Sequence, residues 1–193
     1  MRSILCLLII DGVCYGFHIS EITHMIPRDT PADRLNLYAG YCNVALGCGA
    51  SLGGWVSGWL GDRLSSRRSG NLGILMFVLG SGLAFTAIKI QLFLLTLASS
   101  FFWGLFLFYI EGWLYMVCSR EFKGRSESFS VNKQLGSITC FLFQLIVIFT
   151  KNDIRLDVSI PVMAALAVPA WWSLRKLPLH KDRRTLQERP RME

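Results

Sequence analysis

The sequence predicts an all-α membrane protein of six transmembrane helices, and three observations carry that prediction. The 193 residues are 52% hydrophobic with a mean hydropathy of +0.43, more apolar than a water-soluble domain of this length. The apolar residues gather in six runs separated by short polar segments. The basic residues then divide unevenly between the two sides of such a threading. Arg2, Arg63, Arg67, Arg68, Arg120, Lys123, Arg125, Lys133 and the seven from Arg175 onward fall on one side. Arg28, Arg34, Lys89, Lys151 and Arg155 fall on the other. An excess of 15 against 5 marks the cytoplasmic-type side and sets both termini there. The net charge of +7 has this origin. It does not point to nucleic acid, because no basic-aromatic stripe suited to stacking bases is present.

The first span covers residues 4–19 and is interrupted by Asp11. A secretory signal is the competing reading, with Arg2 as its basic start and residues 4–10 as its apolar core. Asp11 directly after that core, and the lack of a small-x-small cleavage site, favour a retained span. Residues 20–34 hold two prolines and mixed charge and read as an outer polar loop. The second span, 35–60, has 26 positions without a charge and can cross a bilayer with some tilt. The third covers 70–88, and Lys89-Ile90-Gln91 is a very short outer hairpin. The fourth covers 92–118, is rich in aromatics, and has Glu111 as its only charge. Residues 119–133 read as a basic inner loop, 135–150 as the fifth span and the following KNDIRLD as an outer connection. The sixth span, 158–174, holds Pro161 and Pro169, tolerable in a bilayer where neighbours re-satisfy the backbone. Trp171 and Trp172 stand at its inner end as interfacial anchors. Residues 1–174 thus form one six-span domain, and 175–193 a basic cytoplasmic-side tail suited to topology anchoring or to anionic headgroups.

The second span is the most distinctive stretch. Gly40, Gly47, Gly54 and Gly61 recur every seven residues, and Gly49/Gly53 and Gly54/Gly58 form two GxxxG pairs. At about 3.6 residues per turn, Gly47, Ala50, Gly54, Ser57 and Gly61 share one narrow stripe. Such a stripe lets a second helix approach closely in lipid, so leucine at Gly54 is expected to disrupt packing. The six cysteines lie in or beside apolar spans without a C-x-x-C pair, so buried thiols are expected rather than disulfides or a metal site.

That span ends in Gly58-Trp59-Leu60-Gly61-Asp62-Arg63, followed by Arg67 and Arg68. Asp62 stands at a helix C-terminus, the wrong end of the dipole for a carboxylate, so a cation or another helix start is its expected partner. This stretch resembles the loop signature G-x-L-a-D-r-x-G-r-r of the major facilitator superfamily, with Ser65-Ser66 where the family has a second loop glycine. The resemblance covers nearly the whole chain. Lys123-Gly124-Arg125-Ser126 resembles the R/K-G-R turn after the family's fourth span, and Gly136 follows in the next helix. Residues 101–136 also look like the second half of the uncoordinated-type (Unc) branch, described as ion-channel regulators or trafficking partners. The resemblance implies a six-helix half-bundle in which Asp62 engages the inner end of the fourth or fifth span. Arg120 or Arg125 would be the cation and Gly58 the crossing point. Transporters of that family use two halves around a midplane site. One half is present here, and no internal repeat at 90 to 100 residues replaces the other, so a second half or a homodimer is the expected partner beside the lipid bilayer.

Asp11 and Glu111 are the two acids inside apolar spans. By helix rise Asp11 lies roughly 12 Å into its span and Glu111 roughly 10 Å from the inner end of its own. An acid at such depth faces a wet interior, is protonated, or locks helices by pairing with a neighbouring Ser, Tyr or Lys. The functional reading is a polar-solute or proton site of Asp11, Asn43 and Glu111. His18, His24 and His180 have unrelated spacings and form no metal site. No Ser-His-Asp order, phosphate loop or catalytic carboxylate pair occurs, so no enzyme and no cofactor are expected. Three functions remain open: a transporter-like half for a small solute, with proton coupling as a variant; a non-transporting accessory or regulatory subunit; and a fragment of a twelve-helix transporter.

Overall fold

In a computed structural model the described residues, 2–21, 25–27, 29–121, 126–149 and 152–176, hold six α-helices and no strand. They are α1 (Arg2–Glu21), α2 (Ala32–Arg63), α3 (Ser66–Ile90), α4 (Phe93–Glu121), α5 (Ser126–Phe149) and α6 (Asn152–Lys176). The tail beyond Lys176 lies outside the described residues, as does most of the turn at Lys123 and Arg125; Arg175 and Lys176, expected in the tail, are the last residues of α6.

Five helices begin earlier than apolarity alone suggests, α1 at Arg2 and α3 at Ser66 among them. α2 starts at Ala32, with Asp33 in its first turn where the helix dipole favours an acid. α5 starts at Ser126 and α6 at Asn152, so polar stretches expected as loops are helical first turns. The outer hairpin is as short as expected. Gln91 closes α3 in the left-handed conformation (φ 57°), with its backbone N–H on the Ala87 carbonyl at 2.9 Å. Its side-chain amide donates to the Ile88 carbonyl, satisfying a second helix-end acceptor.

Among the described residues, length and hydropathy together mark two helices as candidate spans. Ser66–Ile90 and Phe93–Ser119 are long and apolar enough to cross a membrane, whereas the described apolar run of α1, Leu8–Phe17, is shorter. The expectation of six spans is met in helix count and in part only in apolarity. In α2 the glycines, serines and tryptophans that lower hydropathy stand in an uncharged stretch.

Four helices close a ring: α4 packs on α3, α3 on α6, α6 on α1 and α1 back on α4. α2 lies along α4 and α5 lies along α1. The larger interfaces are unchanged if α1, α2 and α3 are exchanged with α4, α5 and α6. The residue pairings give the directions. Gly49, Gly53 and Gly61 of α2 meet Phe101, Leu105 and Met116 of α4 in parallel order. Gly12 and Gly16 of α1 meet Gly136 and Cys140 of α5, also in parallel. α1 against α4 runs antiparallel, Phe17 meeting Trp103 edge-on at 5.6 Å. The packing therefore repeats with inverted direction although the amino-acid pattern does not, a relation found within transporter halves.

The core is aromatic and sits where α1, α3 and α4 meet. Trp103 stacks on Phe77 and Phe106 at 5.9 Å each, with Tyr109 and Trp113 buried one and two turns further along. The polar atoms of Tyr109 and Trp113 are used, whereas the Trp103 indole N–H is buried without a partner among the described residues. The Trp113 indole donates to the Ser66 carbonyl (2.9 Å), and the Tyr109 hydroxyl donates to the Ser69 carbonyl (2.9 Å) and lies 2.7 Å from the Ser69 hydroxyl. The segment before α2 is also anchored. Met25 and Ile26 are buried, and the Thr96 hydroxyl donates to the Met25 carbonyl at 2.7 Å.

The expected stripe on α2 is corrected. Ala50, Ser57 and Gly61 are buried against α4, but Gly47 and Gly54 are exposed, and a Cβ there would meet nothing within 4 Å. The close crossing is made by the neighbouring pair. A Cβ at Gly49 or Gly53 would land on the carbonyl of Phe101 or Leu105, and one at Gly104 on the carbonyl of Leu46. Backbones this close make Cα–H contacts to carbonyl oxygens, which side chains would prevent. The Gly54/Gly58 pair faces outward.

Candidate functional site

Asp11 and Glu111 do come together. Both line a cavity of about 410 Å³ between α1, α4 and α5, bounded also by Tyr15, Tyr115, Asn132 and Lys133. α1 supplies Asp11, Gly12 and Tyr15 from one face, as i, i+1, i+4 spacing allows. The close α1·α5 crossing at Gly12 and Gly16 sets the depth of the cavity wall. A Cβ on Gly12 would meet the Gly136 carbonyl and the Thr139 side chain. Thr139 turns its hydroxyl to the Leu135 carbonyl (2.6 Å) and lies 3.2 Å from that of Gly136.

Glu111 is partnered. Its Oε1 accepts from the Tyr115 hydroxyl at 2.8 Å, one turn along α4, and from Lys133 Nζ in a close ion pair. Lys133 also stands over the Tyr115 ring, 5.5 Å from its centroid. The Glu111 side chain is 17% exposed and that of Lys133 65%, so the lysine stem reaches in from the solvent-side end of α5. Partial burial acts to lower the Lys133 pKa, but the hydrogen bonds to Glu111 and Tyr115 outweigh it and hold it above the ordinary lysine value. Asp11 has no hydrogen-bond partner among the described residues, and the charges acting on it are Glu111 and Lys133.

Asn43 is not part of this site. It is exposed on α2, on the far side of α4 from the cavity. Lys133 was missed because its stretch read as loop; its position one turn before an apolar run was the available signal. The Gly12-x-x-x-Gly16 spacing was legible and unused.

The loop residues are placed as follows. Gly61 is buried against the Met116 thioether, while Gly58, Asp62, Arg63, Arg67 and Arg68 are exposed. The Arg63 guanidinium lies over the Trp59 ring at 4.4 Å. Gly58 is not the crossing point expected of it, since nothing lies within 4 Å of its would-be Cβ. The expected partners of Asp62 fall outside what is described: the Arg120 side chain and all of Arg125. Arg175 and Lys176 repeat the Arg63 arrangement over Trp171 and Trp172, at 3.7 and 4.8 Å. Since α2 and α6 run in the same direction, these three pairs share one end of the bundle.

Among the described residues no three His, Cys, Asp or Glu side chains are placed to hold a metal. Cys14, Cys42, Cys48, Cys118 and Cys140 are free thiols. Comparison with protein-family models, curated proteins and solved structures finds no match to this chain.

Proposed function

We propose that this chain is a six-span membrane half-bundle of the major-facilitator type, acting as a transporter-like half for a small polar solute. The solute site is the cavity of α1, α4 and α5, and a second copy or partner half completes the path. One observation carries the reading: two acids and a lysine converge on a cavity beside the α1·α4 contact, at the centre of an inverted three-plus-three packing pattern. Transporter halves place solute sites at such repeat interfaces. An ionisable group inside an apolar bundle is costly to keep, and function is the usual reason for its presence. The Arg63, Arg175 and Lys176 pairs with tryptophan supply aromatic-basic anchors at one bundle end, as a cytoplasmic-type interface requires.

The test has two arms. Single cysteines replacing Thr30 and Thr185 in a cysteine-free background should be labelled from opposite sides of a sealed membrane. Purified chain in proteoliposomes should take up at least one member of a panel of small polar solutes, and Asp11→Asn should abolish that uptake. Labelling from the same side overturns the threading. Uptake no faster than in empty liposomes, or unaffected by Asp11→Asn, overturns the transport reading.

A further inference from the structure

The cavity already holds a primary ammonium group, that of Lys133. It is hydrogen-bonded to Glu111, stands over the face of Tyr115, and lies within electrostatic reach of Asp11. These are the three things an ammonium ion seeks: a carboxylate to accept its hydrogen bonds, a ring face, and a second acidic group nearby. The group is tethered rather than built in. Its side chain is 65% exposed, so the stem can swing out without disturbing the packing of α5. With Lys133 in place, Asp11 still has no hydrogen-bond partner among the described residues. With Lys133 swung out, both acids face the cavity without a cation, Glu111 keeping its hydrogen bond from Tyr115. With both acids ionised and Lys133 swung out the site carries two negative charges: a bound anion is repelled by both, a zwitterion leaves the net charge unchanged, and a monovalent cation restores the balance that Lys133 provides. Tyr15 and Phe141 line the same cavity and are more than a third exposed, giving an apolar body a surface to rest on.

We propose that the cavity binds a primary ammonium ligand with an apolar body, whose charged end takes the place of the Lys133 ammonium between Glu111 and Asp11. This rests on the reading of the cavity as the solute site and names the solute class. Lys133 is then a competing occupant built into the chain. A ligand finds the site open only in the fraction of molecules whose lysine has swung out, which weakens its apparent affinity by that fraction.

The experiment is calorimetric titration of the full chain in nanodiscs with four ligands of nearly one shape: benzylammonium, benzyltrimethylammonium, benzyl alcohol and benzoate. Benzylammonium should bind tightest, benzyltrimethylammonium less tightly because it cannot donate to Glu111, and benzoate not at all. Lys133→Met should tighten benzylammonium about tenfold, as expected if the lysine fills the site about nine-tenths of the time. Asp11→Asn should weaken it, with circular dichroism confirming the helices. Benzyl alcohol binding as tightly as benzylammonium overturns the proposal. So does a Lys133→Met protein whose affinity is unchanged or weaker, or the absence of benzylammonium binding to either protein. The arms also separate this inference from the transport reading. Benzylammonium binding without any uptake removes transport and leaves the site. Uptake of neutral or anionic solutes without ammonium preference does the reverse.

Discussion

On one face of α2, Gly49 and Gly53 lie so close to α4 that a single added carbon would strike a backbone carbonyl. On the other, Gly40, Gly47, Gly54 and Gly58 meet nothing within 4 Å. The residue and the helix are the same, and so is the GxxxG spacing of 49/53 and 54/58. What differs is the angle around the helix axis. A seven-residue repeat drifts by about 20° per heptad on a straight helix. Gly40, Gly47 and Gly54 therefore stay on the open side, while the drift carries Gly61 round to the rim of the contact, where it meets Met116. A small residue allows close approach, but only the neighbouring helix decides which small residues are approached.

The sharpest way to break this comparison is one substitution made at both faces. Gly49→Ala puts a Cβ onto the Phe101 carbonyl, and neither helix backbone can yield without moving the whole crossing. Overpacking of this kind costs about 1–3 kcal/mol. Thermal unfolding of the purified chain in one detergent should show a clear loss. A melting temperature equal to that of the unaltered protein would mean that α2 does not lie on α4 in this register.

Gly61→Ala sharpens it further. Its would-be Cβ meets only the Sδ and Cε of Met116, the free end of a side chain with three rotatable bonds. The methionine can turn aside, so the cost should stay below about 1 kcal/mol, less than at Gly49. If Gly61→Ala costs as much as Gly49→Ala, the Met116 end is pinned and the graded account of this interface fails.

The same angular ambiguity explains what sequence could and could not reveal about the site. Six helices were legible because apolar runs and their breaks record them directly. Asp11 and Glu111 were legible because a charge inside an apolar run is rare and costly. Asn43 was placed with them on polarity alone, without knowledge of which face α2 turns to α4, and it is exposed. Lys133 escaped for a different reason. The first turns of α5 are polar, and a polar segment before an apolar run carries no periodicity that separates a helical turn from a loop. The partner of Glu111 thus sat in the one type of segment that hydropathy cannot place. The inverted packing had no sequence counterpart either. It is set by paired crossings, α2 on α4 and α1 on α5, each made by glycines with different neighbours in the chain.

The smallest expected effect lies on the open face and has the opposite sign. Gly54→Ala adds a methyl group where there is space and removes a glycine from a helix interior. With no contact to lose, the backbone term decides: alanine stabilises a helix over glycine by about 0.5–1 kcal/mol. The variant should therefore melt slightly higher than the unaltered chain in nanodiscs that hold one molecule each. A loss there would mean that Gly54 is covered within the single chain and that the two faces of α2 are not different. The comparison between nanodiscs holding one and two molecules carries the argument beyond the monomer. The proposed function needs a second copy or a partner half, and the outward glycines would admit one closely. A gain in one-molecule discs that turns into a loss in two-molecule discs would assign Gly54 to a contact between copies. A gain of equal size in both leaves that face to lipid, and a second copy, if it completes the bundle, must meet this chain elsewhere.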